Sequence, residues 1–193
     1  MNKKVGILGG SFNPIHLGHI HLAETIKKVK GLDEIWFIPT FINPFKEKEP
    51  PISEKHRLKM CELAIEGNPD FKVLDIEINK KEPSYTYNTI KALKSEYPKI
   101  DFFLILGDDA ASSFSSWYEA DKMLEEIPVI VGARVGGNLK NFQGSLINMP
   151  IMLVSSTEIR DLIQKNKDFE RFLPEKVTSY IKKHKLYSDD EKI

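Results

Sequence analysis

The sequence predicts an α/β fold in one domain, a doubly wound parallel sheet with helices on both faces, and three observations carry that prediction. Short apolar runs with the look of buried strands alternate along the chain with stretches of helical periodicity, the pattern that builds βαβ units. The strongest runs, residues 4–8, 34–38 and 100–106, are apolar almost throughout, as strands covered on both faces must be. Several strand-like runs end in Gly, Pro or Ser, at the sheet edge where such Rossmann-like folds bind ligands. The 193 residues suffice for one such domain, spanning residues 1–187, with 188–193 reading as a frayed tail.

The elements follow in order. Residues 4–8 form a strand that runs into Gly9 and Gly10. From 17 to 29 the apolar positions Leu17, Ile20, Leu22, Ala23, Ile26 and Val29 recur at helical spacing, and Gly31 fits the stop. Residues 34–38 are a second buried strand closed by Pro39, and 40–52 form a long loop of the kind that carries function. Ser53 opens the next helix. Residues 71–78 alternate apolar and polar and predict a strand, after which Ser84 or Thr86 caps a helix reaching about Tyr97. A strand at 100–106 leads to Gly107, Asp108 and Asp109, and a helix near 118–125 precedes a strand at 128–131. Residues 151–154 predict the last strand. Ser155 with Glu158 has the form of a capping box, and Pro174 suits the first position of a final helix.

Composition narrows the function. Lys plus Arg and Asp plus Glu number 28 each, so no basic excess marks a nucleic-acid partner and any phosphate recognition is local. The longest apolar runs are too short to cross a bilayer, and the amino terminus lacks the form of a signal peptide. The single cysteine, Cys61, excludes an internal disulfide and a cysteine-based metal cluster; its apolar neighbours predict a buried helix residue. These features predict a cytoplasmic protein with no membrane partner and are compatible with a homo-oligomer.

The loop after the first strand reads Gly9, Gly10, Ser11, Phe12, Asn13, Pro14, Ile15, His16, Leu17, Gly18, His19. Glycines after a strand let backbone amides approach a phosphate, and a following helix adds its amino-terminal dipole. The loop lacks both the G-x-G-x-x-G dinucleotide fingerprint and the Gly-Lys-Ser/Thr of a P-loop. His16 and His19 share a helix face, as surface or cap residues, a metal pair or phosphate donors. A metal would want a third ligand that the neighbourhood does not offer, whereas imidazoles at a helix amino terminus suit phosphate oxygens.

With Ser155, Ser156, Thr157, Glu158, Ile159 and Arg160 near the other end, this loop resembles the paired signatures of the nucleotidyltransferase superfamily, H-x-G-H and S-S/T-x-x-R. Within it the chain is most similar to the bacterial nicotinate-nucleotide adenylyltransferases, from Val5 to Tyr187. Pro83, Ser84, Tyr85 and Thr86, Gly107 to Asp109 followed by Trp117, and residues 173–187 match that branch. Phe45 stands where many members have a His, Asp108 where a small residue is common, and Ser116 where a Pro often precedes the Trp.

The resemblance implies adenylyl transfer from ATP to nicotinate mononucleotide, with Mg²⁺ carried on the ATP phosphates and no protein metal site. It implies His16, His19, Lys46 and Arg160 as catalytic donors. It implies ATP contacts from Gly9, Gly10, Ser11, Phe12, His16, His19, Gly107, Asp109, Ser155, Ser156 and Arg160. It implies mononucleotide contacts from Thr86, Trp117, Tyr118 and Arg134. Rival readings are transfer to nicotinamide mononucleotide or phosphopantetheine, or a non-catalytic nucleotide-binding domain. The phosphopantetheine branch lacks the 83–86 and Trp117 segments, and a non-catalytic relative is expected to have lost His19 or Arg160.

Overall fold

Six parallel strands form one sheet in the computed structural model, which describes residues 2–44, 52–134, 142, 144–149 and 154–188. They are β1 (Lys3–Gly10), β2 (Glu34–Pro39), β3 (Phe71–Val73), β4 (Ile100–Gly107), β5 (Val129–Arg134) and β6 (Ser145–Met149). Their order is β3-β2-β1-β4-β5-β6, and all neighbours pair in parallel. The chain winds outward in one direction from β1 and in the other from β4. A crevice therefore opens beyond the carboxyl ends of these two strands.

Helices cover both faces, as the sequence predicts. On one face lie α1 (Leu17–Lys30), α2 (Glu54–Ile65), α7 (Ser156–Gln164) and α8 (Glu175–His184). Leu22, Ile26, Met60, Cys61, Ile159 and Val177 pack there against Leu8, Phe37 and Ile105. On the other lie α4 (Thr86–Glu96), α5 (Asp108–Ser113) and α6 (Ala120–Glu126), whose Ile90, Leu93, Ala111 and Met123 meet Val5, Ile7 and Leu104. Burial on both sides explains the continuous apolar runs: every residue of β2 is buried, even Glu34. Gly31 ends α1 at φ 60°, a left-handed conformation open to glycine at little cost.

Three local expectations change. The strand expected over 71–78 stops at Val73, and Ile76–Lys80 forms a short helix, α3. β3 is an edge strand paired only with Ile35, Trp36 and Phe37; Pro39, without an N–H, cannot carry that ladder further. The strand expected at 151–154 falls largely outside the described residues, Val154 belongs to no strand, and the outermost strand described is β6. As an edge strand β6 buries only Ile147 and Met149 fully, so its polar alternation resembles a connection. Thr86 is the first residue of α4 rather than its cap, which is Tyr85, and the Ser84 hydroxyl instead accepts the Phe41 N–H at 2.9 Å. Pro174 caps α8 one position before its first residue. Of the expected tail, Ser188 is described, while 189–193 lie outside the described residues.

Candidate active site

The loop leaving β1 lies at the switch point between β1 and β4, and its shape is set by what holds its carbonyls. Arg160 Nη1 donates to the Asn13 carbonyl at 2.9 Å, and Ser156 Oγ donates to that of Pro14 at 2.9 Å. Arg57 Nη1 donates to the Ser11 carbonyl at 2.8 Å. The Asn13 side chain accepts the buried Tyr187 hydroxyl at 2.8 Å, and the Asn13–Pro14 peptide is cis. In a planar trans peptide the N–H lies opposite the C=O. The Phe12 amide therefore faces away from Arg57, and the Ile15 amide away from Ser156. The Phe12 side chain itself is core, buried with φ 46° and packed against Phe37; of this predicted ATP contact only the backbone remains.

His16 is the N-cap residue of α1, and His19 lies in its first turn. Their rings stack at 3.7 Å between centroids, and Phe12 meets His19 edge-on at 5.0 Å. A Cβ on Gly18 would lie 2.9 Å from His16 Nδ1, so the glycine is needed for the imidazole to fold over the turn. Burial lowers the His16 pKa to about 4, only partly opposed by the charge of Glu158. The ring is neutral at physiological pH. His19 Nδ1 accepts the His16 backbone N–H at 3.2 Å, which leaves Nε2 as the ring nitrogen that carries a proton. The pair thus offers imidazole N–H donors at a helix amino terminus, a place suited to an anion.

The capping box at α7 forms as predicted. Ser155 Oγ accepts the Glu158 N–H at 3.1 Å, and the Ser155 amide donates to Glu158 Oε2 at 2.8 Å. Since the Ser155 hydroxyl also donates to that carboxylate and Ser156 Oγ holds Pro14, both hydroxyls serve the local architecture. The amides of Ser156 and Thr157 open the helix and lie outside its internal bonding pattern. Among the described residues no group of three or more His, Cys, Asp or Glu could hold a metal ion.

Across the switch point, Gly107 ends β4 as the N-cap residue of α5, with Asp108 and Asp109 in the first turn. Trp117 is half-buried, its Nε1 3.3 Å from Ser113 Oγ and its ring against Phe114. Tyr118 is exposed, with its ring 5.2 Å from that of Tyr85 at the start of α4. The Ser84 N–H donates to the Ile42 carbonyl at 2.9 Å, which joins the start of the second loop to the approach to α4.

The cytidylyltransferase-like family model matches residues 7–162, which spans both turns and the sheet between them. The chain is 39% identical over 186 residues to the probable nicotinate-nucleotide adenylyltransferase of Oceanobacillus iheyensis, covering 96% of this chain and 97% of that protein. It is 38% identical over 186 residues to the nicotinate-nucleotide adenylyltransferase of Bacillus subtilis strain 168, covering 96% and 98%. The chain belongs to the nicotinate-nucleotide adenylyltransferases. A solved structure of the Plasmodium falciparum nicotinic acid mononucleotide adenylyltransferase complexed with NaAD superimposes with a TM-score of 0.82 at 27% identity, covering 96% of this chain and 97% of that one.

For a nicotinate-nucleotide adenylyltransferase, the expected residues fall into two groups. His16, His19, Ser155, Ser156 and Arg160 lie on or against the first loop; Gly107, Asp109, Thr86, Trp117 and Tyr118 belong to the segments that follow β4 and open α4. Arg134 closes β5 at the same end of the sheet, and Lys46 lies outside the described residues. Sequence reasoning missed Asn13, Arg57 and Tyr187 as shapers of the loop. Asn13 stood in view within the motif, but Arg57 resembled one more polar helix residue, and nothing local tied Tyr187 to a loop 174 positions away.

Proposed function

We propose that the chain transfers the adenylyl group of ATP to nicotinate mononucleotide, giving deamido-NAD and pyrophosphate. One observation carries the reading: two turns from opposite ends of the chain are hydrogen-bonded into a single cradle at the switch point of a parallel sheet. The names of the relatives supply the substrate.

In this reaction an oxygen of the mononucleotide's phosphate attacks the α-phosphorus of ATP in line. The new phosphorus–oxygen bond forms as the bond to the bridging oxygen breaks, and the electron pair leaves with pyrophosphate. The attacking oxygen is already anionic near neutral pH, so no protein base has to take a proton. The protein contributes positioning and charge neutralisation. His19 directs Nε2–H toward the phosphates with His16 beside it. The amides of Gly9, Gly10, Ser11 and Phe12, those opening α7, and the cations Arg160 and Lys46 complete the set. Mg²⁺ enters as part of the ATP substrate, held by phosphate oxygens and water; imidazole N–H donors suit those oxygens rather than a hard cation.

Asp109 and the Gly107 backbone take the ATP ribose in this reading, and Trp117 stacks on the pyridine ring. The amides of Thr86 and Tyr118 take the nicotinate carboxylate, with Arg134 adding positive charge. Thr86 suits this role because the first amides of a helix lie outside its internal ladder and at the positive end of its dipole. The reaction belongs in the cytoplasm, where ATP is available.

The test is pyrophosphate release from ATP and Mg²⁺ with nicotinate mononucleotide, nicotinamide mononucleotide or phosphopantetheine. Release is expected to be fastest with the nicotinate form. Equal rates with both pyridine nucleotides, or release only with phosphopantetheine, overturns the assignment.

A further inference from the structure

Arg57 is 1% exposed, yet among the described residues no carboxylate lies within ion-pair distance of it. Its guanidinium is solvated by neutral carbonyls from three segments: Ser11 at 2.8 Å, Phe41 at 3.0 Å and Ile52 at 3.4 Å. Burial lowers its pKa, opposed only in part by Cys61, Tyr187 and Glu54, but a guanidinium stays protonated in proteins. A buried charge without a counterion is costly, and an apolar residue of similar volume in its place is often no less stable. The position of Arg57 supplies a reason for the charge. It lies one peptide behind the loop facing the crevice, bonded to the carbonyl whose partner amide, that of Phe12, points the other way.

We propose that Arg57 is the buried countercharge of the nucleotide site, a positioning residue whose anionic partner is the bound triphosphate. Its charge polarises the Ser11–Phe12 peptide and strengthens the Phe12 amide as a phosphate donor, because hydrogen bonds in series reinforce one another where the dielectric is low. Through Phe41 the same guanidinium ties the start of the second loop to the first. The inference rests on the adenylyltransferase reading for the identity of the anion.

Two variants separate charge from scaffolding. Arg57→Gln keeps one amide donor but removes the charge; Arg57→Lys keeps the charge but loses the fork. Binding of an α,β-methylene analogue of ATP is measured without turnover, alongside kcat, both KM values and thermal unfolding. Arg57→Gln is expected to weaken analogue binding at least about tenfold while the KM for nicotinate mononucleotide changes less than about threefold, and Arg57→Lys is expected to recover most of the lost affinity. Equal loss of analogue affinity in both variants, or wild-type affinity in Arg57→Gln, overturns the proposal. If Arg57→Gln does not fold, Arg57→Lys decides: affinity within about fivefold of wild type supports the charge role, and a loss beyond that overturns it. The binding measurement is independent of the adenylyltransferase reading, which fails separately if the wild-type protein binds the analogue but releases no pyrophosphate with nicotinate mononucleotide.

Discussion

His19 is held in three ways at once: its Nδ1 by the His16 amide, one face by the His16 ring, and its edge by Phe12. In the proposed reaction, that confinement means that the ring needs little reorganisation when charge develops on a phosphate. His19→Ala is expected to lower kcat by about 10²–10³ while the KM for ATP moves little, since a donor used mainly in the transition state appears in kcat. Near-normal turnover in that variant removes His19 from the mechanism. His16 differs because it is buried and neutral. Its pKa falls from 6.5 when unfolded to about 4 when folded, so below pH 6.5 the unfolded chain binds the extra proton. The stability this group contributes is present above pH 6.5 and lost as the pH falls toward 4, by about 3 kcal/mol in full. Urea unfolding of the ligand-free protein between pH 7 and 4.5 should therefore show a larger loss for wild type than for His16→Gln. Equal losses mean that His16 is not the titrating group.

The helix amino termini are the elements that give the crevice its polarity. α1, α4, α5 and α7 all begin at its rim, following β1, the 83–85 approach, β4 and residues 154–155 respectively. Thr86 allows a test confined to one amide. Tyr85 already has the extended backbone, φ −101° and ψ 115°, that a residue preceding proline prefers, and proline is well tolerated at the first position of a helix. Thr86→Pro is expected to leave thermal stability nearly unchanged. It should raise the KM for nicotinate mononucleotide about tenfold, the scale of a lost hydrogen bond to a charged group, and reduce the preference for nicotinate over nicotinamide. An unchanged preference moves the carboxylate away from α4. The α7 terminus is built differently: Glu158 closes the capping box, while Ser156 and Arg160 reach back to the first loop. One turn thereby ends a helix cleanly and fastens the cradle.

At the scale of the molecule, the strand order decides where everything meets. β1 and β4 are adjacent although residues 11–99 separate them in sequence, and the glycines ending each strand face one crevice. The opposite end of the sheet is fastened by Glu34, which accepts from Lys3 at 2.6 Å and Trp36 at 2.8 Å and pairs with Lys72 at 3.1 Å. Burial works to raise its pKa, but these partners outweigh burial and hold it at about 2. Its contribution is therefore present above pH 4.5 and lost only as the pH falls toward 2. That window lies below the one set by His16, so acid weakens the cradle before it loosens the far end of the sheet.

The sequence by itself determined the α/β class, the two-faced sheet, the capping box at Ser155 and the two signature turns, because each is written in local chemistry: periodicity, glycines after strands, a hydroxyl followed by Glu. It misjudged residues 71–78 and missed the strand at Ser145–Met149, since edge strands are defined by how far a neighbour can pair and their own pattern is weak. Only the tertiary structure decided that Phe12 belongs to the core, that Ser156 and Arg160 grip the carbonyls of Pro14 and Asn13, and that Arg57 stands behind the loop as a buried charge. The physical reason is that a hydrogen bond between distant segments leaves no periodic trace in either one. It arises when the sheet order brings two strand ends together, and the residues that complete it resemble ordinary surface polar groups until the chain has folded.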